Sequence, residues 1–119
     1  MFTIQQVSDK TGLSAYTLRY YEKCGLIDTV DRDGNGYRLY DEHDLARINM
    51  LCCLRRTGMS IADMQSYAEL VRVGDQTMCQ RRALLEQHRE EVEAQICELQ
   101  DMLKIIDNKI NLYAQAEGC

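Results

Sequence analysis

From Thr77 to about Ala116 the chain has neither glycine nor proline, and its apolar residues repeat every seven positions. Leu85, Val92, Leu99, Ile106 and Tyr113 hold one seam, Ile96, Leu103 and Ile110 fill the alternate one, and only Arg89 breaks the pattern. Heptads of this kind predict a coiled coil. A helix of roughly 40 residues is about 60 Å long, more than a small domain can cover. Its seam is therefore expected to be buried on a second subunit rather than folded back on its own domain. The chain divides accordingly into a domain over residues 1–74 and a dimerisation helix with a short tail over 75–119.

Composition narrows the class. No apolar run approaches the ~20 residues of a membrane span, and no charged-then-apolar leader opens the chain. The expectation is a soluble, cytoplasmic protein with no membrane partner. The six cysteines (Cys24, Cys52, Cys53, Cys79, Cys97 and Cys119) lie in helix-like segments, without a secretion signal, and are read as reduced thiols rather than a disulfide framework. The formal net charge of −5 argues against nucleic acid only until its distribution is considered. Residues 1–58 balance eight basic against eight acidic side chains, so the acidic excess belongs entirely to the second half. Any DNA-binding face must be a local patch in the first half.

Helix punctuation in that half is dense. Thr3-Ile4-Gln5-Gln6 has the form of a capping box, with Phe2 and Val7 spaced as a hydrophobic staple. That helix runs to about Lys10, and Gly12 suits its end. Ser14 caps a second helix ending near Cys24, with Leu13 and Leu18 as its staple and Gly25 just beyond. Two short helices joined by "TGLS" predict a helix-turn-helix. "DTVDRDGNGYRLYD" follows, in which Thr29–Arg32 and Tyr37–Tyr40 flank a Gly-Asn-Gly tip and predict a two-stranded hairpin. Asp41 caps a third helix to about Thr57. Ser60 and Asp63 form another capping box, with Met59 and Met64 as staple, opening a fourth helix that stops before Gly74.

The second helix has two faces. Ala15, Leu18 and Tyr21 make an apolar stripe, whereas Tyr16, Arg19, Tyr20 and Lys23 fall at i, i+3, i+4 and i+7, with Thr17 beside them. Hydroxyls near a helix start, followed by cations, equip a recognition helix to reach base edges and hold phosphates. The hairpin adds Tyr37, Arg38 and Tyr40 on one strand and Asn35 between two glycines at the tip. A helix-turn-helix followed directly by a basic, aromatic hairpin is a winged helix. The fold class is thus mainly α, a winged helix-turn-helix ahead of a long coiled-coil helix.

"TIQQVSDKTGLSAYTLRYYEKCGLI" followed by "GNGYRLYDEHDLARI" closely resembles the DNA-binding domain of MerR-family transcription regulators, over residues 2 to about 73. The long helix resembles that family's dimerisation helix. Asp28 departs from the pattern, since many members carry proline just after "GLI", and is expected to loosen the turn. The resemblance implies a homodimer joined by an antiparallel coiled coil. It implies a pseudo-palindromic operator of double-stranded DNA between promoter elements spaced too far apart for RNA polymerase, which the activated dimer realigns by kinking and untwisting. By match, Tyr16, Thr17 and Arg19 would face the major groove. Tyr20, Arg38 and Tyr40 would hold phosphates, and Asn35 and Tyr37 would make wing contacts. Tyr21 would be core.

The segment "CLRRTGMSIADMQSYAELVRVGDQT" resembles a subgroup that responds to reactive aldehydes and nitrosative stress through a third-helix cysteine, which aligns with Cys53. Helical geometry agrees: Cys52 shares a face with Ile48 and Leu45 and behaves as a small hydrophobe. Cys53 points elsewhere, with Arg56 three residues on, and a nearby cation favours the reactive thiolate. The alternative signal is a thiophilic metal. Cys79 lies in the first turn of the long helix, and with Cys119 would offer two thiolates, enough for linear Cu(I) but not for tetrahedral zinc. His43 and His88 lack ligand-like partners within helical reach and are expected at the surface. No nucleophile–base pair or phosphate-cradling loop marks an enzyme, and no cofactor is implied.

Overall fold

The computed structural model describes residues 1–28 and 32–116. The first strand proposed for the hairpin, apart from Arg32, lies outside the described residues, as does Cys119. Strand β1 (Phe2–Thr3) leads into α1 (Ile4–Thr11), followed by α2 (Ala15–Lys23), strand β2 (Leu39–Tyr40), α3 (Glu42–Arg56), α4 (Ile61–Val73), a 3₁₀ turn (Asp75–Thr77) and α5 (Met78–Ala114). Met1–Arg82 forms one compact unit and the chain from Ala83 onward a second.

The expected caps form. Thr3 Oγ1 accepts from the Gln6 amide at 3.2 Å while Gln6 Oε1 accepts from the Thr3 amide at 2.8 Å. Gly12 closes α1 at φ 78°, a left-handed backbone conformation natural to glycine. Ser14 Oγ accepts from the Thr17 amide at 3.1 Å and opens α2. Asp41 and Asp44 cap α3 reciprocally: Asp41 Oδ1 accepts from Asp44 N at 2.7 Å, and Asp44 Oδ2 from Asp41 N at 3.1 Å. The Asp44 amide holds the Asp41 carboxyl below its ordinary range, and burial pushes Asp44 up. Of the box expected at Ser60 and Asp63, the described residues show the forward half, Ser60 Oγ accepting from Asp63 N at 3.1 Å.

Alternate apolar positions of these helices converge. α1 packs on α2 and α3, and α3 on α4. Val7, Leu18, Ile48 and Met64 are fully buried, with Tyr21, Leu26, Ile27, Leu51, Leu54 and Met59 around them. Burying each large aliphatic side chain is worth roughly 1.5–3 kcal/mol. Tyr21 is core, as its place on the apolar stripe of α2 required.

One expectation is extended and one changes. Within the described residues the hairpin shows its antiparallel Arg32–Arg38 bridge, and Leu39–Tyr40 also pairs antiparallel with β1, Phe2 opposite Tyr40 and Thr3 opposite Leu39. An alternating pattern identifies a strand but not its partner. His88, expected at the surface, is 8% exposed, with Nδ1 3.9 Å from Glu91 Oε2. It lies on the same side of α5 as the half-buried Arg81, Leu84, Leu85 and Val92, at i−7, i−4, i−3 and i+4.

Asp28, the departure from proline, has a role of its own. Its Oδ2 meets Arg47 Nη1 at 2.5 Å and its Oδ1 meets Arg72 Nε at 2.6 Å. Arg72 also donates to the Gly25 carbonyl and to Glu69 at 3.0 Å. One carboxylate thus ties the segment after α2 to both α3 and α4. The Arg72 hydrogen bond, seconded by Arg47, lowers the Asp28 pKa against the opposing effect of burial. Because the folded pKa lies below the unfolded one, the contribution is fully present above the ordinary 3.8 and is lost as pH falls through the lowered value. Asp28→Asn should cost about 1 kcal/mol at neutral pH, a modest figure because the carboxylate is partly exposed. Urea unfolding at neutral and acid pH checks this. The two proteins should converge in acid, and a pH-independent gap would rule the ion pairs out as its source.

Candidate nucleic-acid interface

The α2 stripe stands clear of the core. Tyr16 is 78% exposed, and Arg19, Tyr20 and Lys23 are exposed with it. Neither Arg19 nor Lys23 is in an ion pair among the described residues, so two cations remain available for phosphate or base edges. Thr17 is half-buried, its Oγ1 2.9 Å from Ser14 Oγ in the capping turn. The Tyr20 ring tilts against Tyr21, centroids 6.3 Å apart. The neighbouring Cys24 thiol raises the Tyr20 phenol above its ordinary range.

The wing turn is organised by Asp33, which sequence reasoning passed over. Its Oδ1 accepts from the amides of Asn35 at 2.8 Å and Tyr37 at 3.0 Å. Backbone bonds Asp33 N to Tyr37 O at 2.9 Å and Gly36 N to Asp33 O at 3.0 Å close the loop, with Gly36 at φ 82°. An aspartate opening a glycine-rich turn was the available signal. The turn leaves Asn35 and Tyr37 exposed, Tyr37 by 69%.

Arg38 is committed to α2: its Nε lies 2.6 Å from Glu22 Oε2, with both side chains largely buried. This pair docks the wing against α2 and leaves the remaining guanidinium donors of Arg38 for other partners. Glu22, the only acid in α2, was also missed. Tyr40 requires a correction. It is 1% exposed, its hydroxyl is buried without a hydrogen-bond partner, and burial raises its phenol pKa. It lies in the core opposite Phe2 instead of holding a phosphate. Removing an unsatisfied buried hydroxyl should help, so Tyr40→Phe is expected to raise stability by about 1 kcal/mol in urea unfolding. A drop in stability would mean that the hydroxyl is hydrogen-bonded.

The adjacent cysteines separate as helical geometry required. Cys52 is 8% exposed, its Sγ 3.8 Å from the Thr11 carbonyl at the end of α1. Cys53 is exposed on α3. Arg56 lies near Gly12, its guanidinium 3.6 Å from where a side chain there would begin. Cys79 is exposed in the first turn of α5, Cys97 is exposed farther along it, and Cys24 is half-buried. Among the described residues, no three His, Cys, Asp or Glu side chains group as a metal site, and no helix is long and apolar enough to cross a membrane.

The chain carrying these features matches known families. Residues 2–70 match the family model "MerR HTH family regulatory protein", and residues 45–108 match "MerR, DNA binding". An HTH-type transcriptional regulator of Haemophilus influenzae is 39% identical over 98% of this chain and 87% of its own length. The HTH-type transcriptional regulator AdhR of Bacillus subtilis is 42% identical over 73% of this chain and 62% of its own. The crystal structure of HiNmlR, described as a MerR family regulator lacking the sensor domain and bound to promoter DNA, superposes with TM-score 0.86. It shares 39% identity and the match covers 98% of this chain and 92% of that one.

Proposed function

The chain belongs to the MerR family of helix-turn-helix transcription regulators, and on that footing we propose that it binds a pseudo-palindromic promoter spacer as a homodimer and activates transcription by distorting the DNA. The family comprises regulators rather than enzymes. The observation that carries DNA binding is the exposed Tyr16, Arg19, Tyr20 and Lys23 stripe beside the Asp33-organised wing. Promoter DNA bound to the similar HiNmlR supports it. Dimerisation is supported by α5, where Ile96, Leu99, Leu103, Ile106, Ile110 and Tyr113, from both heptad rows, are 49–65% exposed. An apolar stripe of that length needs a covering partner, and a second copy supplies the same heptads in antiparallel orientation.

The signal is a reactive aldehyde or nitrosative electrophile captured at Cys53. An exposed thiol is open to attack, while its buried neighbour Cys52 is not. Modification changes size and polarity on α3, the helix that joins α1 to α4. A bias of 1.4 kcal/mol between two dimer states is about a tenfold shift in their ratio. The test is a promoter reporter challenged with formaldehyde, methylglyoxal, a nitric oxide donor and Cu(I). Cys53→Ser should keep operator binding and lose induction, whereas Cys52→Ser should cost mainly stability. Full electrophile induction in the Cys53 variant would refute the assignment, and copper induction lost with Cys79 or Cys119 would make the sensor metal-responsive.

A further inference from the structure

Within the first unit, α3, α4 and the start of α5 line a half-open cavity of about 240 Å³. Met50, Leu51, Tyr67 and Val71 give it an apolar lining. Arg47, Arg72 and Arg81 also line it, against the single carboxylate of Asp28. All three guanidinium nitrogens of Arg72 are engaged, on Asp28, Glu69 and the Gly25 carbonyl. Those of the other two arginines are not all so held. Among the described residues, the Nε groups of Arg47 and Arg81 are buried without hydrogen-bond partners, and Arg81 Nη2 reaches the Gly74 carbonyl, at 3.4 Å.

A buried guanidinium N–H with no acceptor is costly, and a carboxylate is the acceptor whose geometry matches the guanidinium fork. The apolar walls ask for a hydrocarbon body behind that head group. The volume lies below the ~300–1,000 Å³ typical of sites for drug-sized ligands, so the body is compact. We propose that this cavity binds a small organic monocarboxylate, its head group on Arg81 and Arg47 and its alkyl or aryl body among Met50, Tyr67 and Val71. Leu26 and Asp28, which follow α2 directly, also line the cavity, so occupancy is felt just behind the recognition helix.

Calorimetric titration of the full-length dimer with hexanoate and benzoate, against hexanol and benzyl alcohol, tests the site. The acids should bind saturably, one per chain, and at least about tenfold tighter than the matching alcohols, the difference expected for charge-assisted bonds. Arg81→Gln should weaken the acids by at least about tenfold and leave the alcohols unchanged. Met50→Trp, which fills the cavity, should abolish binding of both classes. Equal affinity of acid and alcohol in the unaltered protein overturns the proposal without relying on any variant. So does the absence of saturable heat in the unaltered dimer, the result expected if a second copy covers the cavity.

Discussion

Replacing both Leu99 and Ile106 by glutamate should leave the protein monomeric at micromolar concentration. The two residues lie one heptad apart on the exposed seam of α5, and each substitution appears twice in a dimer. An unpaired charge buried in an apolar seam costs several kcal/mol. Four of them exceed what the remaining heptads offset. The separated helix should lose order as well, since isolated helices depend on packing for most of their stability. Sedimentation velocity reads the mass and circular dichroism the helix content. A dimer that persists at micromolar protein would place the interface elsewhere than α5.

Arg19→Ala is expected to have the next largest effect, and on DNA alone. The side chain is exposed and outside any ion pair among the described residues, so folding stability should change by no more than about 0.5 kcal/mol. A specific arginine–base contact is worth about 1–3 kcal/mol, and a dimer loses two. Affinity for operator should therefore fall by roughly thirtyfold to twenty-thousandfold. The pattern of loss assigns the contact. If Arg19 meets a base, discrimination relaxes at one position in each half-site. If it meets phosphate, affinity falls evenly across sequences and the salt slope drops by about one per copy. Unchanged affinity in fluorescence anisotropy would remove α2 from the interface.

Much of this architecture was readable because its signals are local. A cap joins residues three apart, as at Thr3 and Gln6 or Ser14 and Thr17, so a four-residue window contains the whole interaction. Heptads in α5 and the opposite faces of Cys52 and Cys53 follow from helical periodicity alone. The features that escaped depend on residues far apart in the chain. Glu22 meets Arg38 across sixteen residues, and Asp28 meets Arg72 across forty-four, with no spacing rule to foretell either. Leu39–Tyr40 pairs with β1 near the chain start, and that choice of partner is what turns Tyr40 into the core. An aromatic in an alternating run marks a strand without saying which face is buried. The cavity of Arg47 and Arg81 likewise arises only when three helices meet.

Selection of bound duplexes from a randomised DNA pool, followed by sequencing and by determination of the protein-to-DNA ratio, tests the central claim most directly. A symmetric dimer presenting two copies of α2 must enrich two inverted half-sites at fixed separation, bound by two chains per duplex. Its affinity should fall steeply with salt despite the acidic net charge, because the contacts come from the local cations of α2 and the wing. An absence of enrichment, or recovery of a single unpaired half-site with one chain bound, would contradict the account.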